Sequence, residues 1–231
     1  MGKVIAIDGP SGAGKGTVSR LLAERLGFQF LDTGALYRAV GLHLRRKGLN
    51  EGATDGEIKK ALEGVSITFK DGRVFIKDSS LITHHPSLSS GEDVSEAIRT
   101  PEAGHYASVF SAKKVIRDFL LQVQRDAALN NNIVAEGRDT TTVVFPEAWK
   151  KFYLDASERE RAKRRYLQLR EKGIDITMDE ALRDVVERDR RDQGRSVAPL
   201  VKAKDAIIID TTDKSVEQVL ENILEFIRSD S

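Results

Sequence analysis

The sequence contains no cysteine. That absence removes disulfides, thiolate metal sites and a cysteine nucleophile at once, and it fits a reducing compartment. No apolar run approaches the ~18 residues needed to cross a bilayer. The first residues lead straight into the strand-like run Val4-Ile5-Ala6-Ile7, which leaves no room for a signal peptide. Ala6 stands where a myristoylation pattern needs Ser or Thr. Net charge is nearly absent as well: 37 Lys+Arg against 36 Asp+Glu, a formal +1. Nothing global therefore argues for a nucleic-acid or membrane partner. The 231 residues show no internal repeat and no linker, and they suffice to bury a substantial core in one domain with or without inserts. A soluble cytoplasmic enzyme is the expectation.

Against this background one segment stands out. Gly9-Pro10-Ser11-Gly12-Ala13-Gly14-Lys15-Gly16-Thr17 follows the apolar run and precedes a helical pattern. Strand, glycine-rich loop and helix form the context of a phosphate-binding loop. The glycines let several N–H groups turn into one hollow, and the helix adds its positive end. Lys15, expected in a solvated loop, supplies a mobile charge for the outer phosphates. The chain is expected to hold a nucleoside triphosphate. The general motif places Ser or Thr directly after the lysine; here Gly16 stands there and the hydroxyl comes one place later, at Thr17. That ending resembles nucleoside-monophosphate kinases more than GTPases or motor ATPases. It leaves two ways to meet Mg²⁺, through Thr17 or through water.

Periodicity places the remaining elements. A helix over Thr17–Leu26 stops at Gly27, Phe28–Leu31 reads as a buried strand, and Asp32-Thr33-Gly34 reads as a turn before a helix from Ala35 to Lys47. Strand–helix–strand–helix with short connections implies right-handed crossovers and a parallel sheet. From Val65 to about Ile82 the pattern alternates around Asp71-Gly72, which predicts a small antiparallel hairpin insert. Leu81–Gly91 is polar and aperiodic and reads as a surface loop. His84-His85 lacks a third ligand at suitable spacing, so no metal site is expected there. Helical periodicity returns over Ala103–Asn130. Strands follow at Ile133–Ala135, Lys151–Leu154 and Ala206–Ile209, and helices at Met178–Arg191 and after Ser215. Ser157 with Glu160 and Ser215 with Gln218 predict capping boxes.

In such a sheet ligands sit beyond the carboxyl ends of the strands. Those ends carry the glycine loop, then Asp32-Thr33-Gly34 with Tyr37 and Arg38, then Gly137-Arg138-Asp139, then Asp155 and an arginine-rich helix. Four segments are thus expected to converge on one crevice. Arg159, Arg161, Arg164, Arg165 and Arg170 lie on one predicted helix; Arg188, Arg190, Arg191 and Arg195 lie on and after the next. Arginine matches phosphate oxygens in pairs. The interleaved acids make a solvated helix face the reading for most of these arginines, and they argue against a nucleic-acid surface.

Six stretches together resemble the bacterial cytidylate kinase family of P-loop nucleoside-monophosphate kinases: Ile7–Thr17, Leu31–Arg38, Gly91–Glu102, Glu136–Ala148, Leu154–Arg165 and Glu187–Leu200. The resemblance implies an α/β P-loop kinase fold: a parallel sheet flanked by helices, a small antiparallel insert in a monophosphate-binding region at about 34–107, and a short helical lid at about 155–173. It implies ATP, with its Mg²⁺, as phosphoryl donor, CMP or dCMP as acceptor, and a monomer. It also implies residue roles. Gly9 to Thr17 would hold ATP. Thr33 and Arg38 would face the CMP phosphate. Ser108, Arg117 and Asp139 would recognise cytosine. Arg188 and Asp192 would lie near the CMP sugar and phosphate, and Arg138 and Arg195 would contact phosphate. Lys15, Arg161, Arg165 and Arg188 would act in transfer. Arg161 and Arg165 are four apart and share a face, whereas Arg159 and Lys163 point elsewhere. The sequence departs from the family at Thr140–Thr142, where a glycine is usual at the second place, and its insert runs long at Leu81–Ser90.

The implied reaction moves the ATP γ-phosphoryl group to the 5′-phosphate of CMP. An anionic phosphate acceptor needs no strong general base, so positioning and charge neutralisation would carry catalysis. Kinases for AMP or UMP are the near rivals. A nucleotide-dependent switch is the distant one, and the guanine-reading N-K-x-D pattern it would carry is missing from the sequence.

Overall fold

The computed structural model describes residues 2–70, 72–79 and 91–229. The expected loop at Leu81–Ser90, with His84-His85, lies outside the described residues. The chain divides into two compact units. The first comprises Met1–Phe30 with Asn130–Ser231, and the second Leu31–Leu129.

A five-stranded sheet organises the first unit, with strands β1 (Val4–Asp8), β2 (Gln29–Asp32), β6 (Ile133–Glu136), β7 (Lys150–Asp155) and β8 (Ile207–Asp210) in the order β2-β6-β1-β7-β8. β1 pairs in parallel with β6 on one side, Ile5 opposite Val134, and with β7 on the other, Ile7 opposite Phe152. β7 in turn pairs in parallel with β8. A central strand covered on both faces has no wet side, which is why β1 is buried at all five positions and reads as an apolar run rather than an alternation. Helix α1 (Lys15–Leu26) packs Val18 and Leu22 into this core. From the C-terminal helix α8 (Val216–Arg228) come Val219, Leu220, Ile223 and Leu224. The Ser215–Gln218 capping box of α8 is complete. At α6 (Glu158–Glu171) only half of the expected box forms. Ser157 Oγ accepts from Glu160 N, while Ser157 N donates to Thr212 and the Glu160 carboxylate turns to Arg164. Helix α7 (Met178–Gln193) packs against α6.

In the second unit, β3 (Val65–Lys70), β4 (Arg73–Asp78) and β5 (Glu92–Asp93) form an antiparallel sheet in that order. Ile67 faces Ile76 in the register, so the predicted hairpin insert is present; of its turn, Asp71 lies outside the described residues and Gly72 adopts φ 75°. Helix α2 (Thr33–Arg46) starts two residues earlier than expected. Asp32 is its N-cap, with Oδ1 accepting from Ala35 N at 2.8 Å, so Thr33 and Gly34 are helix rather than turn. Helix α3 (Asp55–Leu62) adjoins the sheet. The single helical stretch expected over 103–130 is two helices, α4 (Pro101–Phe110) and α5 (Lys114–Asp126). The break has a local cause. Ser111 Oγ donates back to Ser108 O at 3.0 Å, a bond that competes with helix continuation, and the Ser111 carbonyl is taken by Arg117 Nη1 at 2.9 Å.

Candidate active site

The carboxyl ends of β1, β6 and β7 deliver three segments of the first unit: the glycine loop, Gly137-Arg138-Asp139, and the approach to α6. The loop is seated tightly. A Cβ on Gly9 would collide with the Leu154 carbonyl. Gly12 has φ 78°, and a Cβ there would stand 2.9 Å from Arg161 Cβ. Gly14, at φ 86°, precedes α1 with no side chain capping the helix. The N–H groups of that first turn point toward the loop with the positive end of the helix behind them.

Three of the loop's carbonyls are held by side chains. Pro10 O accepts from Lys15 Nζ at 2.7 Å, Ser11 O from Arg161 Nη1 at 3.0 Å, and Ala13 O from Thr211 Oγ1 at 3.2 Å. Ser11 N donates to Asp189 Oδ1 at 3.0 Å, and Asp189 is ion-paired with Arg161. Both backbone groups of Ser11 thus rest on one buried ion pair between α6 and α7.

Lys15 is not in a solvated loop. It is the first residue of α1 and only 5% exposed. Burial, followed by the charges of Arg138 and Arg188, lowers its pKa to about 7; Glu136 and Asp8 oppose that shift without cancelling it. Burial is the main cause, since it penalises the charged ammonium, and the two neighbouring guanidiniums, Arg138 and Arg188, disfavour that form further.

Asp192 organises the neighbouring arginines. Its Oδ2 lies 2.8 Å from Arg138 Nε and its Oδ1 pairs with Arg195. Burial pushes the Asp192 carboxyl up, but Arg138, Arg195 and Arg188 together hold it below its ordinary value. Burial likewise works against the Arg138 guanidinium, and Asp192 with Glu136 raises it above its usual range. Asp139 is buried and opens a π-turn, Thr140–Val144, that contains the threonine run. Asp8 accepts from Thr140 N at 3.0 Å, Thr141 N at 2.7 Å and Thr141 Oγ1 at 2.6 Å.

The arginines of α6 part company. Arg161 is buried and bonds Ala156 O, Ser11 O and Asp189. Arg165 reaches α7, with Nε 2.8 Å from Asp184 Oδ2. Arg164, not Arg165, lies beside the loop: its Nη1 is 3.7 Å from where a Gly14 Cβ would be, and its guanidinium holds Thr211 at Oγ1 and O. Arg159 and Lys163 are exposed, as helix geometry predicts. Thr17 is exposed too.

The second unit carries the remaining expected residues. Asp32 Oδ2 meets Arg38 Nη2 at 2.7 Å, and Thr33 is buried at the start of α2. Arg117 is buried with its guanidinium 5.5 Å from the centre of the Tyr37 ring, a cation–π distance. Ser108 is 6% exposed, and its Oγ has no hydrogen-bond partner among the described residues. A buried hydroxyl in that condition fits a position completed by a ligand.

Three residues of the first unit escaped the sequence reading: Asp8, Glu136 and Asp189. The one available signal was Asp8 itself, a carboxylate ending an otherwise apolar strand.

Comparison with known proteins gives the family of the chain. The family model described as Cytidylate kinase matches residues 5–229. The cytidylate kinase of Thermodesulfovibrio yellowstonii is 51% identical, covering 100% of both chains. That of Thermosipho melanesiensis is 47% identical over 97% of this chain and 96% of its own. Among solved structures, an uncharacterized protein from Eubacterium ventriosum superposes with TM-score 0.51 at 14% identity, covering 98% of this chain and 99% of its own, a likeness of fold alone.

Proposed function

The chain belongs to the cytidylate kinase family, and on that premise we propose that it transfers the γ-phosphoryl group of ATP to the 5′-phosphate of CMP, and of dCMP, giving ADP with CDP or dCDP. One observation carries the proposal. Lys15 is buried at the start of a helix that no side chain caps, and Arg138 and Arg188 stand close enough to add their positive charge to it. A polyphosphate relieves that repulsion and accepts those N–H groups, so the residues present fit ATP.

On this reading the loop Gly9–Thr17 binds the donor phosphates, and Lys15 returns to its charged form as they arrive. Mg²⁺ bound with ATP would supply charge neutralisation of the phosphates. The acceptor is assigned Thr33, Arg38, Ser108, Arg117, Arg138, Asp139, Arg188, Asp192 and Arg195. Asp139 accepts from the cytosine amino group. The carboxylates near the loop are engaged, Asp8 by the threonine turn and Asp189 by Arg161. The reading accordingly uses no strong general base; acceleration comes from alignment and from charge placed where the transferring group needs it. The segment 155–173 serves as the lid. Arg161 and Arg165 contribute to transfer once phosphate oxygens take over from Asp189 and Asp184, while Arg188 acts directly. The enzyme works as a cytoplasmic monomer, without nucleic acid or membrane.

Incubation with ATP labelled at the γ-phosphorus tests this. The proposal expects the label in CDP when CMP is present. Label appearing only as inorganic phosphate overturns it.

A further inference from the structure

The turn that carries Asp139 is fastened to the strand that launches the phosphate loop. Asp8 is the last residue of β1 and stands next to Gly9. Its carboxylate is fully buried and takes three donors from two consecutive residues: Thr140 N at 3.0 Å, Thr141 N at 2.7 Å and Thr141 Oγ1 at 2.6 Å. Asp139 O accepts in turn from Val143 N at 2.8 Å and Val144 N at 3.2 Å. The peptide that follows Asp139 is therefore held at both of its groups, the Asp139 carbonyl and the Thr140 N–H.

The third donor departs from the resemblance, which leads one to expect glycine at position 141, and glycine has no hydroxyl. Thr141 is 1% exposed, and Ala198 is the one non-glycine residue with positive φ among the described residues. Threonine thus occupies the turn without left-handed strain. The hydroxyl of the preceding Thr140 is buried as well, but it has no partner among the described residues. Of two adjacent buried hydroxyls, only that of Thr141 is bonded to Asp8.

We propose that Asp8 and Thr141 form a positioning pair that fixes the aim of Asp139, so that discrimination between cytosine and uracil depends on the Thr141 hydroxyl. The proposal rests on the reading of Asp139 as the base-reading carboxylate. A hydrogen bond separates two bases only as sharply as its acceptor is held. Loosening the turn costs the cytosine contact and lets a uracil carbonyl escape the opposing carboxylate. The ATP side is touched less, because Asp8 enters the loop through the β1 backbone, which stays paired with β6 and β7.

The test compares Thr141→Val, Thr141→Ser, Thr140→Val and Asp139→Asn, measuring kcat/KM for CMP and for UMP together with KM for ATP. Thermal midpoints confirm that each variant is folded. Removing one hydrogen bond should narrow the CMP-to-UMP ratio about 3- to 10-fold in Thr141→Val, with KM for CMP raised and KM for ATP within about 2-fold. Thr141→Ser, which keeps the hydroxyl, should restore the ratio, and Thr140→Val should leave it unchanged. The proposal is overturned if Asp139→Asn narrows the ratio while Thr141→Val does not. It is equally overturned if Thr140→Val matches Thr141→Val, since simple packing then explains both. An unchanged ratio in Asp139→Asn overturns the base-reading role itself, and the positioning role with it.

Discussion

Glu136 Oε1 lies 3.2 Å from the point where a Cβ on Gly16 would stand. The contact accounts for the one irregularity in the phosphate-loop motif. A side chain at position 16 needs the space that the carboxylate occupies, and that carboxylate opposes the depression of Lys15. Gly16→Ser restores the residue type of the general motif, yet it is expected to displace Glu136 and leave Lys15 less often charged. KM for ATP should rise roughly 10-fold with KM for CMP little changed. Steady-state titration of each substrate at saturation of the other checks this; equal KM values for wild type and variant contradict it.

Lys15→Met should keep the fold and lose transfer by about 10²-fold or more, the cost typical of removing a charge that acts on the transition state. Its stability profile carries a sign. The folded-state pKa of about 7 lies below the ordinary 10.5. Between those values the unfolded chain binds more protons, and wild-type stability rises with pH. Below about pH 7 the folded protein bears the full cost of the buried charge. The variant should lack that rise and be at least as stable as wild type at neutral pH and below. Urea midpoints measured across this window check both statements. A variant markedly less stable at pH 6 contradicts them.

Asp139→Asn should narrow the CMP-to-UMP ratio of kcat/KM. Uracil presents a carbonyl where cytosine presents an amino group, and two unpaired acceptors facing each other cost roughly 1–3 kcal/mol. Competition between the two monophosphates in one reaction measures the ratio directly. If both rates fall equally, Asp139 does not read the base.

What the sequence made legible was what local pattern controls. β1, its loop, α1 and α8 follow from apolar periodicity and caps, and the hairpin of β3 and β4 follows from alternation around one turn. The break between α4 and α5 did not. Ser111-Ala112-Lys113 contains no glycine or proline, and the interruption depends on where the Ser111 hydroxyl and carbonyl find partners. The depression of the Lys15 pKa was equally illegible, because part of it comes from Arg138 and Arg188, more than 120 positions away. Helix spacing paired Arg161 with Arg165. It could not anticipate that Asp189 and Ser11 hold the one and Asp184 the other, nor that Arg164 lies beside Gly14. Spacing assigns a face, while packing decides what that face meets.

The arginines of α6 should therefore respond unequally to substitution. Arg161→Gln removes support from both Ser11 and Asp189 and should lower kcat and thermal stability together, because it leaves a buried carboxylate without its cation. Arg165→Gln should lower kcat with little loss of stability, since its partner Asp184 is 40% exposed. Arg159→Gln should change neither. Parallel measurements of kcat at saturating ATP and CMP and of thermal midpoints check the ranking. Small, equal effects at all three positions contradict the lid assignment.

The most direct test of the central claim is ADP release in a coupled assay, run without acceptor and then with CMP, dCMP, UMP or AMP. A kinase built to join two anionic nucleotides should release ADP slowly alone and rapidly with CMP, with dCMP also used and UMP and AMP trailing. Release at the same rate with and without CMP, or equal use of AMP, would contradict the account.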